Sequence, residues 1–108
     1  MIYHITTRKA WQTAVSEGDY RPPSLTSEGF IHCSFAQQIP GTARRYFCGQ
    51  SGLVLLGIDP DRLIAELHIE PGADTIDSFP HLYGPLNLDA VRQVMNFDPD
   101  SPETPIHT

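Results

Sequence analysis

"LVLLGID", residues 53–59, is the stretch whose reading decides the fold. It is apolar at nearly every position up to Asp59, the pattern of a central strand covered on both faces. Turn formers bound it, "GQSG" before and "DPDRL" after. Downstream, "IAELHIE", residues 64–70, alternates strictly. Ala65, Leu67 and Ile69 should face in, and Ile64, Glu66, His68 and Glu70 out, so His68 reads as a surface histidine. "VRQVMNF", residues 91–97, is the expected last strand. Upstream, "MIYHIT" is a short strand with Ile2 and His4 on one face and Tyr3 and Ile5 on the other. "GFIHCSF", residues 29–35, is the second strand, with Phe30, His32 and Ser34 on one face and Ile31, Cys33 and Phe35 on the other. One helix should run from a cap at Thr6 or Thr7 to about Ser16, with Trp11, Ala14 and Val15 as its inner stripe and Gly18 as its end. A second falls in "AQQIPGTARRYF", residues 36–47, with Ala36, Ile39, Ala43 and Phe47 on one stripe. There Pro40 and Gly41 require a kink or a late start. "DYRPPSLTSEG" and "PGADTID" are loops, and Pro80, Gly84 and Pro85 should interrupt regular structure in "FPHLYGPLNLDAV". The sum is an α+β fold of five or six short strands with two helices in the N-terminal half. It is not doubly wound, because helices stop alternating with strands after residue 50.

The chain has 108 residues and suits one domain, expected over residues 1–97. "DPDSPETPIHT", residues 98–108, reads as a disordered tail rich in proline and acid. A formal charge of −6 argues against a nucleic-acid partner, which would call for a basic patch. It does not exclude a phosphorylated small molecule, for which one or two cations suffice. The longest apolar run is too short to span a membrane, and the N-terminus lacks the basic start and apolar core of a signal peptide, so a cytoplasmic location is expected. Cys33 and Cys48 match no zinc spacing and are read as reduced free thiols. Oligomeric state is not legible.

Three histidines lie in apolar or aromatic surroundings: His4 in "IYHIT", His32 in "FIHCS" and His81 in "FPHLYG". Each alone fits a core histidine satisfied by backbone; three in one small domain also fit a shared pocket. Histidine shuttles protons near neutral pH, so His32 and His81 are the candidate catalytic pair. Ser34 is a candidate hydrogen-bond donor to a ligand, although it equally suits the cap of the following helix. Tyr83, two residues beyond His81, could stack on a flat ring. Arg21 is the best single phosphate ligand, because a loop can aim it over a pocket. His4 completes the ligand-binding set. No metal is expected, since the histidine spacings match no local ligand motif.

The strings "IYHIT", "GDYRPPSL", "EGFIHCS", "LVLLGID" and "FPHLYGPLNLDAV" resemble a family of small bacterial proteins of unknown function, with relatives in plants and fungi. The resemblance covers roughly residues 1–97. That family is grouped with ADP-ribosyltransferase-like folds, which implies a split, curved β-sheet with a ligand cleft between its halves. It further implies NAD, ADP-ribose or a related nucleotide as ligand and chemistry at a ribosyl C1. His4 would contact a ribose, His32 or Ser34 would line the nicotinamide side, and Tyr83 or Tyr20 would stack. "VRQVMNF" carries no glutamate where such a transferase would place its acid, leaving Glu28 and Glu70 as substitutes. A non-enzymatic metabolite-binding module and a histidine-based hydrolase or isomerase without nucleotide are the alternatives.

Overall fold

The computed structural model describes residues 1–72 and 75–101. Three antiparallel sheets divide the strands. The first has the order β1 (Ile2–Thr7), β4 (Leu53–Ile58), β8 (Val91–Phe97). The second pairs β2 (Asp19–Tyr20) with β7 (Leu86–Asn87). The third has the order β3 (Ile31–His32), β6 (Ser78–Tyr83), β5 (Glu66–Pro71). Among the described residues the α-helices are α1 (Arg8–Glu17), the single turn α2 (Ser24–Ser27) and α3 (Ile39–Tyr46), all in the N-terminal half; only 3₁₀ turns, Pro60–Arg62 and Leu88–Ala90, follow. An α+β fold of small sheets is therefore observed. The short β2–β7 pair supplies the strands beyond the five or six expected, and α2 lies within the stretch read as a loop.

All six residues of β4 are buried, because the strand feeds two cores. Val54, Leu56 and Ile58 join Ile2, Ala14, Tyr20, Ile31, Cys33 and Leu82. Leu53 and Leu55 join Ile5, Phe97 and the α3 residues Ile39 and Ala43. The first sheet is thus sandwiched between α3 on one side and α1 with the third sheet on the other. Burying an aliphatic side chain of this size contributes about 1.5–3 kcal/mol, so β4 is the main anchor of the fold.

Capping follows the sequence. Thr7 Oγ1 accepts from the Ala10 N–H at 3.0 Å, and Gly18, at φ 98°, ends α1 with its N–H on the Ala14 carbonyl. The inner stripe of α1 is Ala10, Trp11 and Ala14, whereas Val15 is 54% exposed. The stripe predicted for α1 was therefore rotated by one residue. After a 3₁₀ turn at Ala36–Gln38, α3 starts late, with Pro40 in its first turn, where a missing N–H costs nothing.

Two local expectations are corrected. Pro80 does not interrupt the chain: it is buried within β6. Its carbonyl accepts from Cys33 N–H, so its nitrogen points to the same side, beyond the end of two-residue β3, and the β5–β6 ladder loses no bond. The second strand is shorter than "GFIHCSF": ladder pairing stops at His32, and Ser34 instead forms a reciprocal backbone bridge with Tyr3. Of the expected tail, Asp98–Ser101 form a turn with Pro99 buried; residues 102–108 lie outside the described residues, as do 73 and 74 of the "PGADTID" loop.

Candidate functional site: a histidine row backed by carboxylates

Pairing places His32 opposite His81 on β6, and His81 opposite His68 on β5. Directly opposed residues of antiparallel strands project to the same face. The three histidines therefore form one row across the third sheet, on the face away from the core residues Ile31 and Leu82. Period-two alternation adds Phe79 and Tyr83 from β6, and Glu66 and Glu70 from β5, to that face.

Each histidine of the row has its own carboxylate. His32 Nε2 lies 2.9 Å from Glu28 Oε2, His68 Nε2 lies 3.1 Å from Glu66 Oε2, and His81 Nδ1 lies 2.9 Å from Glu70 Oε1. The first two pairs are solvated. In the third only the carboxylate is: Glu70 is 37% exposed, whereas the His81 side chain is only 7% exposed and stacks on Phe30, with ring centroids 4.1 Å apart and 20° between planes. Glu70 Oε1 also accepts from the Tyr83 hydroxyl at 2.5 Å. These two donors, Tyr83 foremost, hold the Glu70 carboxyl below the usual carboxylate range, and Glu70 in turn raises the Tyr83 phenol.

With Glu70 accepting at Nδ1–H, neutral His81 carries its lone pair on Nε2. No described residue bonds Nε2. Among the described residues no fully enclosed side-chain nitrogen or oxygen lacks a partner, so Nε2 keeps some access to solvent. A carboxylate that fixes one imidazole nitrogen and leaves the other free is the arrangement a general base needs. Next to this face, a cleft of about 480 Å³ runs between the Arg21–Thr26 segment and Tyr83–Pro85. Arg21 is on its wall, its Nε–H shared between the two Asp19 carboxylate oxygens at 3.1 Å and its Nη2 3.0 Å from Asp19 Oδ2.

The structure thus brings His32, His81 and Tyr83 together, with Arg21 sharing a cleft with Tyr83. It does not bring Ser34 or the His4 ring to this face. Ser34 is buried, its Oγ 3.1 Å from Thr42 Oγ1. His4, although half-buried by exposure, has both nitrogens taken: Nδ1–H donates to the His32 carbonyl at 2.5 Å, and Nε2 accepts from the Tyr20 hydroxyl at 2.8 Å, with Thr6 Oγ1 2.9 Å further on. Desolvation lowers the His4 pKa to about 4, so this ring is neutral and braces the backbone of His32. Sequence reasoning missed His68 as a member of the row and left Glu28 and Glu70 unplaced. Alternation put Glu66, His68 and Glu70 on one face, but only the β5–β6 register sets that face beside His81.

Among the described residues, no group of three or more histidine, cysteine or acidic side chains is arranged to hold a metal ion, and no helix is long and apolar enough to cross a membrane.

The fold and this face define a small α+β domain with a row of histidine–carboxylate pairs on one sheet face. The model of the family described as protein of unknown function DUF952 matches residues 5–94, and the chain belongs to that family. It is similar to the crystal structure of protein CC0527 from Caulobacter crescentus, with a TM-score of 0.81 and 35% identity over 90% of this chain and 85% of that one. The solution NMR structure of CC0527 gives a TM-score of 0.78 and 33% identity over 99% and 95% of the two chains. No curated protein matches the chain.

Proposed function

We propose that the protein binds a small nucleotide of the NAD or ADP-ribose class, with its phosphate on Arg21 in the cleft and its reacting group at His81. The observation that carries the reading is Glu70 Oε1, which accepts from both His81 and Tyr83: Tyr83 lines the cleft, and His81, two residues before it on β6, keeps Nε2 unbonded by any described residue. The separation of the strands into distinct three-stranded sheets, with the cleft beside one of them, supports an ADP-ribosyltransferase-like reading of the fold. In this reading Tyr83 offers an aromatic edge to a flat ring. The bond from ribosyl C1 to its base breaks, and the electron pair leaves with the base. His81 takes the proton of the water or acceptor hydroxyl that adds to C1, and the carboxylates of Glu70 and Glu28 offset the positive charge that builds on the ribosyl group. His32 is the second proton-transfer group. His4 and Ser34 enter as framework: one bonds the His32 carbonyl, the other ties this strand to Tyr3.

A second reading is favoured by the charge of the face itself. Its side chains include Glu28, Glu66 and Glu70 but no lysine or arginine, which suits acid–base chemistry on a substrate without an anionic group, and so without a nucleotide. A thermal-shift series decides. NAD or ADP-ribose, and not free phosphate, should raise the melting point of the protein, since a ligand bound only to the folded state stabilises it by mass action. Arg21→Ala should remove the rise. No rise with any nucleotide at concentrations on the order of millimolar, well above the affinity of a working site, rejects the nucleotide and leaves the second reading.

A further inference from the structure

The hydrogen-bonding polarity of the face restricts what can sit on it. The Tyr83 hydroxyl is committed to Glu70, and His81 Nδ1–H likewise. In the neutral tautomer that keeps Nδ1–H on Glu70, this ring, 7% exposed, presents a lone pair at Nε2, which no described residue bonds. Around it each carboxylate uses one oxygen: Glu70 Oε1 holds His81 and Tyr83, and Glu28 Oε2 holds His32. Glu70 Oε2 and Glu28 Oε1 bond no described residue. Flat surfaces are also at hand, because the Phe30 ring lies 5.3 Å from Tyr83 and 4.8 Å from His32. The site is therefore an array of acceptors among aromatic rings, with no cationic side chain to oppose it.

We infer that this face takes a planar, positively charged group of amidinium or guanidinium type, with one N–H donated to His81 Nε2, its charge met by Glu70 and Glu28, and its plane against the aromatic rings. Acceptor-only surroundings leave a bound acceptor unsatisfied and a bound donor satisfied. Carboxylates pair best with forked N–H donors, and aromatic rings favour a cation over an anion. The inference shares its site with the function proposed above but does not depend on a nucleotide. If both hold, the anionic end of the ligand lies at Arg21 and the donor-bearing end at His81.

The test is an NMR titration of the full chain with three probes: benzamidinium, benzoate of nearly the same shape, and an N-acetyl-arginine methylamide. Benzamidinium should saturate and shift the His81 and Tyr83 ring signals, while benzoate should leave them in place. If the arginine derivative binds as well as benzamidinium, the natural group is an arginine side chain; if it does not, the group belongs to a free small molecule. Either result supports the inference. Glu70→Gln should weaken benzamidinium about tenfold, the usual loss for a charged hydrogen bond. Asp61→Asn, an exposed acid in another turn, should not weaken it. Equal binding of benzoate and benzamidinium, or none by either, overturns the inference, and a failure of NAD to bind does not touch it.

Discussion

The sheet around β4 and the sheet around β6 are both three-stranded and antiparallel, yet they use their faces differently. Strand β4 buries Val54, Leu56 and Ile58 in one core and Leu53 and Leu55 in another, so neither face is available to a ligand. Strand β6 buries Leu82 on one face and turns His81 and Tyr83 to the other. That second face need not serve the core, and it is where the titratable side chains collect. Two histidines make the same contrast. His4, on the first sheet, has both ring nitrogens bonded within the protein. His81, buried at 6% exposure, has one nitrogen bonded and one that no described residue bonds. Burial alone therefore does not mark a functional histidine; the unpartnered nitrogen does.

The largest effect should come from cutting into the doubly covered strand. Leu56→Ala should cost about 2–5 kcal/mol in urea unfolding, because the removed atoms leave a cavity that close packing cannot collapse. On the open sheet, Ile69→Ala, at a side chain 53% exposed, should cost no more than about 0.5 kcal/mol. Equal losses at the two positions would break the comparison.

The next effect is pH-dependent and belongs to His4. Its pKa falls from 6.5 to about 4 on folding, so the unfolded chain binds the proton more tightly. Stability is then fully present above about pH 6.5 and declines as pH drops toward 4, by on the order of 3 kcal/mol from this group. His4→Gln should flatten that slope in urea midpoints measured across the range. An unchanged slope would mean that the His4 network does not keep the ring neutral.

The thiols give a smaller, kinetic contrast. Cys33 is buried in the first core, and burial pushes its thiol up to about 12, whereas Cys48 is exposed. A thiol reagent at neutral pH should label Cys48 in the native protein and reach Cys33 only with unfolding. Native-state labelling of both would show that the β3–β6 layer opens readily.

Much of the framework was legible in the sequence, for physical reasons that can be named. A short apolar run bounded by turn formers reads as a strand with two covered faces, and β4 is one. Thr7 and Gly18 carry the chemistry of helix ends and end α1 as expected. His32, His81 and Tyr83 stood out because histidine and tyrosine in apolar strings are unusual. What sequence periodicity could not supply was register between distant strands. His68 looked like any surface histidine because alternation says which face a residue takes, not which strand lies beside it. Ser34 was assigned to the His32 face because the second strand was drawn too long: past His32 the chain leaves β6 for Tyr3, and alternation no longer applies. Pro80 was read as a break because a proline in a central strand usually is one; here its missing N–H falls beyond the end of a short neighbour.

The most direct test of the account is the tautomer of His81, read by ¹⁵N NMR of histidine-labelled protein at a pH where the ring is neutral. Glu70→Gln keeps the size of the side chain and an acceptor oxygen; because the Glu70 charge is held by His81 and Tyr83, the unfolding midpoint at neutral pH should fall modestly, and the tautomer is read on protein that is still folded. The account predicts a proton on Nδ1 and a free lone pair on Nε2 in the native protein, with that preference weakened in Glu70→Gln. A proton on Nε2, or a tautomer indifferent to the loss of the Glu70 charge, would contradict the claim that this face is built to present an open base.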